Sequence, residues 1–180
     1  MSQAYQITDP GAPYFLTFQI VDWVDLFTRQ VYRDIFLNSL SFCRTHKGLQ
    51  VYGYVVMSNH VHLLLRARAE NLPAVVRDLK KFTSATLLKT IVETPESRRE
   101  WLLNRFAFAA RKHTRNSTYQ LWTHENHAVL LSRPEVTRQK LNYVHLNPVR
   151  AGLVEKPEDY LYSSARNYAG LSALIEVDLM

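Results

Sequence analysis

The chain has 180 residues, of which 47% are hydrophobic, and its formal net charge at neutral pH is +6. This length and composition suit one compact domain with a buried core, which we expect to span residues 1–180. The single cysteine, Cys43, excludes an intramolecular disulfide. The polar start excludes a signal peptide, and no apolar run reaches the ~20 residues of a membrane span. We therefore expect a soluble cytoplasmic protein with no membrane partner.

The first half of the chain predicts three strands and one helix. Residues 13–23 are rich in aromatic and β-branched side chains, which favours a strand. Residues 28–48 have apolar side chains at helical spacing. Residues 49–57 and 60–68 resemble two strands joined by a short Ser-Asn turn, so together they predict a hairpin.

The second half predicts helices around one further strand. A long helix is expected over residues 72–93 and a polar helical stretch over residues 95–112. Residues 118–132 favour a fourth strand interrupted by polar side chains. Residues 132–149 predict a helix that opens with a Ser-x-x-Glu capping box. This order indicates an α+β fold, a ferredoxin-like β-α-β-β-α-β sandwich with an added C-terminal helix that bears Tyr143.

Positive charge is concentrated in residues 77–115, which hold ten Lys or Arg residues against four Asp or Glu residues. This region accounts for the whole net charge, because the remainder of the chain is balanced. Such a concentration favours a polyanionic partner, most simply nucleic acid, although a solvated helix face explains it equally well. The residues of this region that we expect to contact DNA are Arg77, Lys80, Lys81, Arg98, Arg99, Arg111, Lys112 and Arg115.

Two histidines, His60 and His62, interrupt a run that otherwise indicates a buried strand. Strand side chains alternate between faces, so an His-x-His pair directs both imidazoles to the same side. That arrangement supplies two metal ligands economically. It also arises by coincidence, in which case neighbouring side chains satisfy both rings.

The late helix carries a second candidate pair, Tyr143 and Asn147. The two residues are four apart and share one helix face, whereas His145 is rotated away by about 200°. A phenol is a usable nucleophile, and an amide oxygen is a suitable ligand for Mg²⁺ or Mn²⁺. The alternative is that Tyr143 packs into the core and Asn147 caps the helix before Pro148.

The segments "VVMSNHVHLLL" and "LNYVHLNPVRAGLV", in this order, resemble the single-tyrosine transposases of the HUH superfamily. The similarity is greatest to the REP-associated tyrosine transposase branch, and it extends over nearly the whole chain. The resemblance implies that His60 and His62 are a metal-binding pair and that Tyr143 is the nucleophile. It also implies that Asn147 is a third ligand and that the cofactor is Mg²⁺ or Mn²⁺.

The activity that this resemblance implies is cleavage and rejoining of single-stranded DNA near hairpins, through a covalent 5′-phosphotyrosine intermediate. The expected partner is single-stranded hairpin DNA, and the expected state is a monomer or a homodimer. Two other functions fit parts of the pattern. A non-catalytic module that binds hairpin DNA or RNA has the same fold, and a metal-dependent phosphodiesterase that uses water would not need Tyr143.

Overall fold

The structure is a computed structural model that describes residues 6–112 and 118–180. In chain order, its strands are β1 (Tyr14–Gln19), β2 (Leu49–Val56), β3 (His60–Ala67) and β4 (Val129–Leu130). Its helices are α1 (Gln30–His46), α2 (Leu72–Glu93), α3 (Arg99–Arg111), α4 (Pro134–Arg150) and the short α5 (Ala165–Tyr168). Single 3₁₀ turns occur at Val21–Trp23, Leu26–Thr28 and Pro157–Asp159. None of the described helices is long and apolar enough to cross a bilayer.

The four strands form one antiparallel sheet in the order β2-β3-β1-β4. Helix α1 connects β1 to β2, and α2 and α3 lie between β3 and β4 along the chain. This sheet order and these connections are those of a ferredoxin-like fold, so the predicted fold class is confirmed. Helix α4 follows the last strand, as the sequence predicts for the helix that bears Tyr143.

The two faces of the sheet pack against different helices. Leu16, Phe18, Leu63 and other side chains of one face form the main core with α1, α2 and α3. Phe15, Leu64 and other residues of the opposite face pack against Val144 of α4. Because strand side chains alternate, His60 and His62 lie on the same face as Leu64. The histidine pair therefore faces the layer that contains α4.

A glycine in β2 allows α4 to lie close to the sheet. Gly53 follows a bulge in the pairing of β2 with β3. A Cβ atom at this position would lie only 2.7 Å from Cδ1 of Leu141 in α4, which is closer than carbon atoms approach. Any side chain at residue 53 would therefore require Leu141, on the helix that carries Tyr143, to shift.

Two strands and one helix cap differ from the sequence predictions. The first strand ends at Gln19 instead of residue 23, and the expected strand over residues 118–132 is reduced to Val129–Leu130. Tertiary packing explains the second difference, because the ring of Trp122 enters the core beside Phe18 and Phe36. The predicted capping box is wrong, since Arg133 occupies the N-cap of α4 and makes no side-chain capping bond.

Candidate active site

The two imidazoles of β3 lie side by side on the sheet face that α4 covers. The ring centroids of His60 and His62 are 4.6 Å apart. Cross-strand pairing places Gln19 opposite His60 and Thr17 opposite His62. His62 is buried, with 5% of its surface exposed, whereas His60 is half-buried. The pair is therefore covered at His62 and more accessible at His60.

Each imidazole ring is oriented by a hydrogen bond at its Nδ1 atom. Nδ1 of His62 lies 2.8 Å from the hydroxyl oxygen of Thr17, and Nδ1 of His60 lies 2.7 Å from Oδ1 of Asn59. The amide nitrogen of Asn59 donates to a carboxylate oxygen of Asp25 at 2.9 Å. A carboxylate only accepts, so Asn59 turns its oxygen to His60 and accepts the proton on Nδ1. The lone pair of His60 is then on Nε2.

His62 also has a nitrogen available for a ligand. Its Nε2 atom is buried and has no hydrogen-bond partner within the part of the chain that the structure describes. Burial, together with the nearby His60 and Lys140, lowers the pKa of His62 to about 3, and burial lowers the pKa of His60. Both imidazoles are therefore neutral at neutral pH, which is the form that binds a metal ion.

These observations fit a divalent metal ion held by the two Nε2 atoms, with each Nδ1 atom hydrogen-bonded to a neighbouring side chain. Within residues 6–112 and 118–180, no cluster of three or more His, Cys, Asp or Glu side chains could hold a metal ion. Among these described residues, a third protein ligand beside His60 and His62 would be a residue of another type. Asn147, which the sequence indicates as a ligand, belongs to such a type.

Tyr143 lies beside this histidine pair. Its ring centroid is 5.2 Å from that of His62 and 6.0 Å from that of Phe15, with the rings meeting edge to face. The side chain keeps 37% of its surface exposed. Tyr143 is thus in contact with a buried imidazole on one side and accessible to a large substrate on the other.

A polar stripe runs along α4 on the face that carries Tyr143. Lys140 Nζ lies 4.7 Å from the centre of the Phe15 ring and 5.8 Å from that of Tyr143. The guanidinium of Arg150 lies 5.5 Å from the centre of the Tyr143 ring. Lys140, Tyr143, Asn147 and Arg150 recur at spacings of three, four and three, so they share one helix face. Two cations therefore flank the phenol.

Asn147 lies on the same face of α4 as Tyr143. Along this helix, Lys140 lies over Phe15, and Tyr143 contacts both Phe15 and His62. Asn147 follows one turn later, about 6 Å farther along the axis. Its side chain is half-buried.

His145 faces away from Tyr143, as the helical spacing predicts. Its Nε2 atom lies 2.8 Å from the hydroxyl of Ser164, and its ring packs beside Tyr168 in the C-terminal segment. Burial lowers the pKa of His145 to about 4. Ser164 accepts a hydrogen bond from the backbone N–H of Tyr54 in β2. His145 therefore helps to fasten α4 and the C-terminal segment to the sheet.

The residues predicted to contact DNA fall into two groups. Lys80 directs its ammonium inward, where it donates to the carbonyl of Thr123 and to Oδ1 of Asn126, both at 2.7 Å. Burial lowers the pKa of Lys80 to about 8. Arg99 donates to the backbone carbonyls of Ile91 and Thr94. These two cations stabilise the fold and are not presented to a ligand.

Arg98 is also largely engaged, since it bonds Glu96 and the backbone carbonyl of Asp25. The exposed members of the predicted set are Arg77, Lys81, Arg111 and Lys112. Helix α2, which bears the first two, packs on the sheet face opposite α4. Arg115 lies outside the described residues.

Sequence reasoning missed four side chains that surround the candidate site: Thr17, Asn59, Lys140 and Arg150. The helical spacing from Tyr143 was a sufficient signal for Lys140 and Arg150. Asn59 adjoins the histidine motif, but its orientation depends on Asp25, 34 residues away. Thr17 had no local signal, because only strand pairing brings it to His62.

Comparisons with known proteins bear on this arrangement. A solved structure of a REP-associated tyrosine transposase bound to a REP hairpin is similar to this chain, with a TM-score of 0.61 and 17% sequence identity. The likeness covers 99% of this chain and 92% of the other, and it shows a shared fold. A search of curated proteins found no significant match. The family model of IS200-like transposases matches residues 24–127, more than half of the chain, including His60 and His62. The chain therefore belongs to the IS200-like transposase family.

Proposed function

We propose that the protein cleaves and rejoins single-stranded DNA beside hairpins, with Tyr143 as the nucleophile. The observation that carries this proposal is the contact between Tyr143 and His62, whose buried Nε2 atom has no partner among the described residues. The family assignment supports a DNA-cleaving enzyme. The similar solved structure contains a REP hairpin, which supports hairpin DNA as the partner.

His60 and His62 would hold the metal ion through Nε2, and Asn147 would add its amide oxygen. A bound Mg²⁺ or Mn²⁺ would polarise a phosphoryl oxygen of the scissile phosphate. The three proposed ligands are uncharged, so they would leave the positive charge of the ion available to the substrate. Asn59 keeps His60 in the tautomer that ligation requires, and the hydroxyl of Thr17 can accept the Nδ1 proton of His62 in the corresponding tautomer.

In the proposed reaction, the phenol oxygen of Tyr143 attacks phosphorus, and the bond from phosphorus to the 3′ oxygen breaks. The phenol gives up its proton, and the departing 3′ oxygen takes one up as a hydroxyl. The product is a 5′-phosphotyrosine ester, whose energy is close to that of the original phosphodiester. A 3′-hydroxyl of a second DNA end can therefore reverse the step without a nucleotide cofactor.

Lys140 and Arg150 support this chemistry by their position. Their cationic groups lie 5.8 and 5.5 Å from the ring centre of Tyr143. Cations at this distance attract the phosphate and stabilise the negative charge that builds on the reacting oxygens.

The experiment that tests the proposal is a covalent-adduct assay. The protein is incubated with Mn²⁺ and labelled hairpin DNA that carries single-stranded flanks, and the products are separated on a denaturing gel. We expect an adduct with the wild-type protein and none with Tyr143→Phe, whose DNA affinity should remain nearly unchanged. Cleavage by Tyr143→Phe at the wild-type rate would instead indicate a water-dependent phosphodiesterase. Binding without cleavage by either protein would indicate a hairpin-binding module.

A further inference from the structure

A groove lined by aromatic and cationic side chains adjoins the histidine pair. It lies between the 3₁₀ turn after β1 and helix α3, and its volume is about 430 Å³. Trp23, Arg98, Trp101 and Arg105 line it, and we call it the aromatic groove. A neighbouring depression along α3 extends it past Arg105 to Phe108.

The aromatic side chains of this groove are unusually exposed. Trp23 has 62% of its surface exposed, Trp101 has 46% and Phe108 has 52%. Trp101, Arg105 and Phe108 recur at spacings of four and three, so they form one outward stripe about 10 Å long on α3. Large aromatic surfaces exposed together around a concave site indicate a binding surface.

Trp23 lies in a strained turn of the backbone and is directed outward. Asp22 and Trp23 have φ values of +52° and +55°, a region that residues other than glycine rarely occupy. Such a conformation costs free energy at each residue, and strained residues concentrate at functional sites. Tryptophan side chains are ordinarily buried in a folded protein. The exposed indole of Trp23 therefore indicates a position that binds a ligand.

The charges of the groove suit a polyanion that also presents flat rings. The Arg105 guanidinium lies 5.7 Å from the centre of the Trp101 ring, and Lys112 Nζ lies 4.6 Å from that of Phe108. Two carboxylates also line the groove, and both have partners. Asp25 accepts from Asn59, and Asp22 lies 3.8 Å from Lys112.

One end of the aromatic groove, at Trp23, lies next to His60, one of the proposed metal ligands. The ring centroids of Trp23 and His60 are 6.3 Å apart, and the rings meet at 77°. A nucleic-acid strand with its scissile phosphate at His60 and Tyr143 would therefore place a neighbouring nucleotide beside Trp23. The next nucleotides would follow the stripe on α3.

We propose that the aromatic groove binds the single-stranded nucleotides that flank the scissile phosphate, by stacking their bases on Trp23 and Trp101. Arg105 contacts the phosphates between these bases. This inference rests on the proposed function, because it assumes that DNA enters at Tyr143. Every base has a flat π-face, so stacking of this kind tolerates any sequence. The groove thus binds the single strand without selecting its sequence, and another surface of the protein recognises the hairpin.

Tryptophan fluorescence provides a direct test. The chain has three tryptophans, and the third, Trp122, is buried in the core. Quenching by added DNA would therefore report on Trp23 and Trp101. The protein carries Tyr143→Phe to prevent chemistry, and the probes are a short oligothymidylate and an abasic strand of equal length. The two probes share the same phosphates and differ only in their bases.

We expect the oligothymidylate to quench fluorescence and to bind roughly 5- to 150-fold more tightly than the abasic strand, as base stacking predicts. Trp23→Ala and Trp101→Ala should each reduce this preference for bases. Phe82→Ala is the matched control, since Phe82 is equally exposed but lies on α2. Thermal unfolding verifies that each variant is folded.

The double variant Trp23→Ala/Trp101→Ala lacks both reporting indoles, so its binding is measured by the anisotropy of labelled strands. A preference for bases that persists in this variant, or an absence of quenching in the protein that keeps both tryptophans, would overturn the inference. The adduct assay with wild-type protein separates this result from a failure of the proposed function. An adduct without a base preference would reject the groove alone. A base preference that depends on both tryptophans, without an adduct, would reject the transposase chemistry and leave a single-strand binding site.

Discussion

The Nδ1 atom of His62 lies 2.8 Å from the hydroxyl oxygen of Thr17, its cross-strand neighbour. This bond joins β1 to the His-x-His motif of β3, and Nε2 of His62 is the ring nitrogen that has no partner among the described residues. A hydroxyl can donate or accept, so the bond fixes the orientation of the imidazole and permits the tautomer with its proton on Nδ1, which a metal ion at Nε2 would require. A residue outside the His-x-His motif therefore determines how the motif is presented.

Removal of this hydroxyl should weaken metal binding. Thr17→Val preserves shape and β propensity but cannot accept the proton of His62, so we expect Mn²⁺ affinity to fall about 10- to 100-fold. Isothermal titration with Mn²⁺ measures the effect without DNA. Thr45→Val is the control, because Thr45 bonds a backbone carbonyl on α1, far from the site. Equal affinities for the two variants would contradict the role of Thr17.

Asn147 should contribute to metal binding, whereas His145 should not. Asn147→Ala removes the amide that we propose as a third ligand, so we expect weaker Mn²⁺ binding and slower adduct formation. His145→Gln alters the same helix two residues away, but on the face that meets Ser164. We expect His145→Gln to lower the melting temperature more than the Mn²⁺ affinity. The reverse pattern would mean that the other face of α4 serves the site.

The cations beside Tyr143 should contribute more to catalysis than those on α2. Lys140→Gln and Arg150→Gln should slow adduct formation, because both groups flank the phenol. Each phosphate contact that is lost should also reduce the log-log salt slope by roughly 0.7 for single-stranded DNA. The comparison is the double variant of Arg77 and Lys81, which lie on the layer opposite α4. A larger effect on adduct rate from this pair would contradict the assignment.

Glu96 should make the stability depend on pH below neutrality. Burial alone would raise its pKa, but hydrogen bonds from the Arg98 backbone, Tyr32 and Arg29 lower it to about 2. The folded state therefore binds this proton more weakly than the unfolded state, whose value is near 4.5. The stabilisation is complete above about pH 4.5 and is lost as the pH falls toward 2.

At neutral pH, Glu96→Gln should lower the free energy of unfolding by about 2–3 kcal/mol, and the difference from wild type should shrink in acid. Urea unfolding across this range of pH measures both effects. Glu93→Gln is the control, because that side chain is exposed and only pairs with Lys89 at 4.0 Å. We expect less than about 0.5 kcal/mol from this exposed pair. A loss with Glu96→Gln that does not depend on pH would indicate a packing effect instead.

The sequence predicted the fold and the main elements of the candidate site because those signals are local. Alternation along one strand placed His60 and His62 on one face, and helical spacing separated Tyr143 from His145. The roles of the lysines and arginines could not be predicted in this way. Lys80 bonds the carbonyl of Thr123, which is 43 residues away in the chain. The charge count therefore identified Lys80 as a cation but could not show that its ammonium group points inward.

The predictions for the irregular segments were wrong for the same reason, because distant contacts determine the structure of these segments. Residues 118–132 have a pattern typical of a strand, yet the aromatic core takes up Trp122 and only two residues pair with β1. The predicted strand through residue 23 ends early because the chain turns outward at Asp22 and Trp23, where φ is positive. Neither the core position of Trp122 nor the strained turn has a local signal in the sequence.

The protein should act on single-stranded DNA with a nearby hairpin and should not cleave a plain duplex. The scissile phosphate must reach both the exposed edge of Tyr143 and the imidazole of His62, whose surface is 95% buried. A flexible strand can present one phosphate there, with its neighbours turned aside. A duplex must first be opened at about 1.4 kcal/mol per base-pair step, and the sequence has no glycine-rich phosphate loop for a nucleotide that could supply this energy.

The test of this prediction compares three labelled substrates: a hairpin with single-stranded flanks, the same sequence fully paired with its complement, and a scrambled strand without the hairpin. We expect covalent adducts with the first substrate, none with the duplex, and few with the scrambled strand. The hairpin supplies a folded shape that fixes the position of the cut, whereas the scrambled strand offers only flexibility. Equal cleavage of the duplex would refute the requirement for a single strand. Equal cleavage of the scrambled strand would mean that the flank alone positions the scissile phosphate at Tyr143.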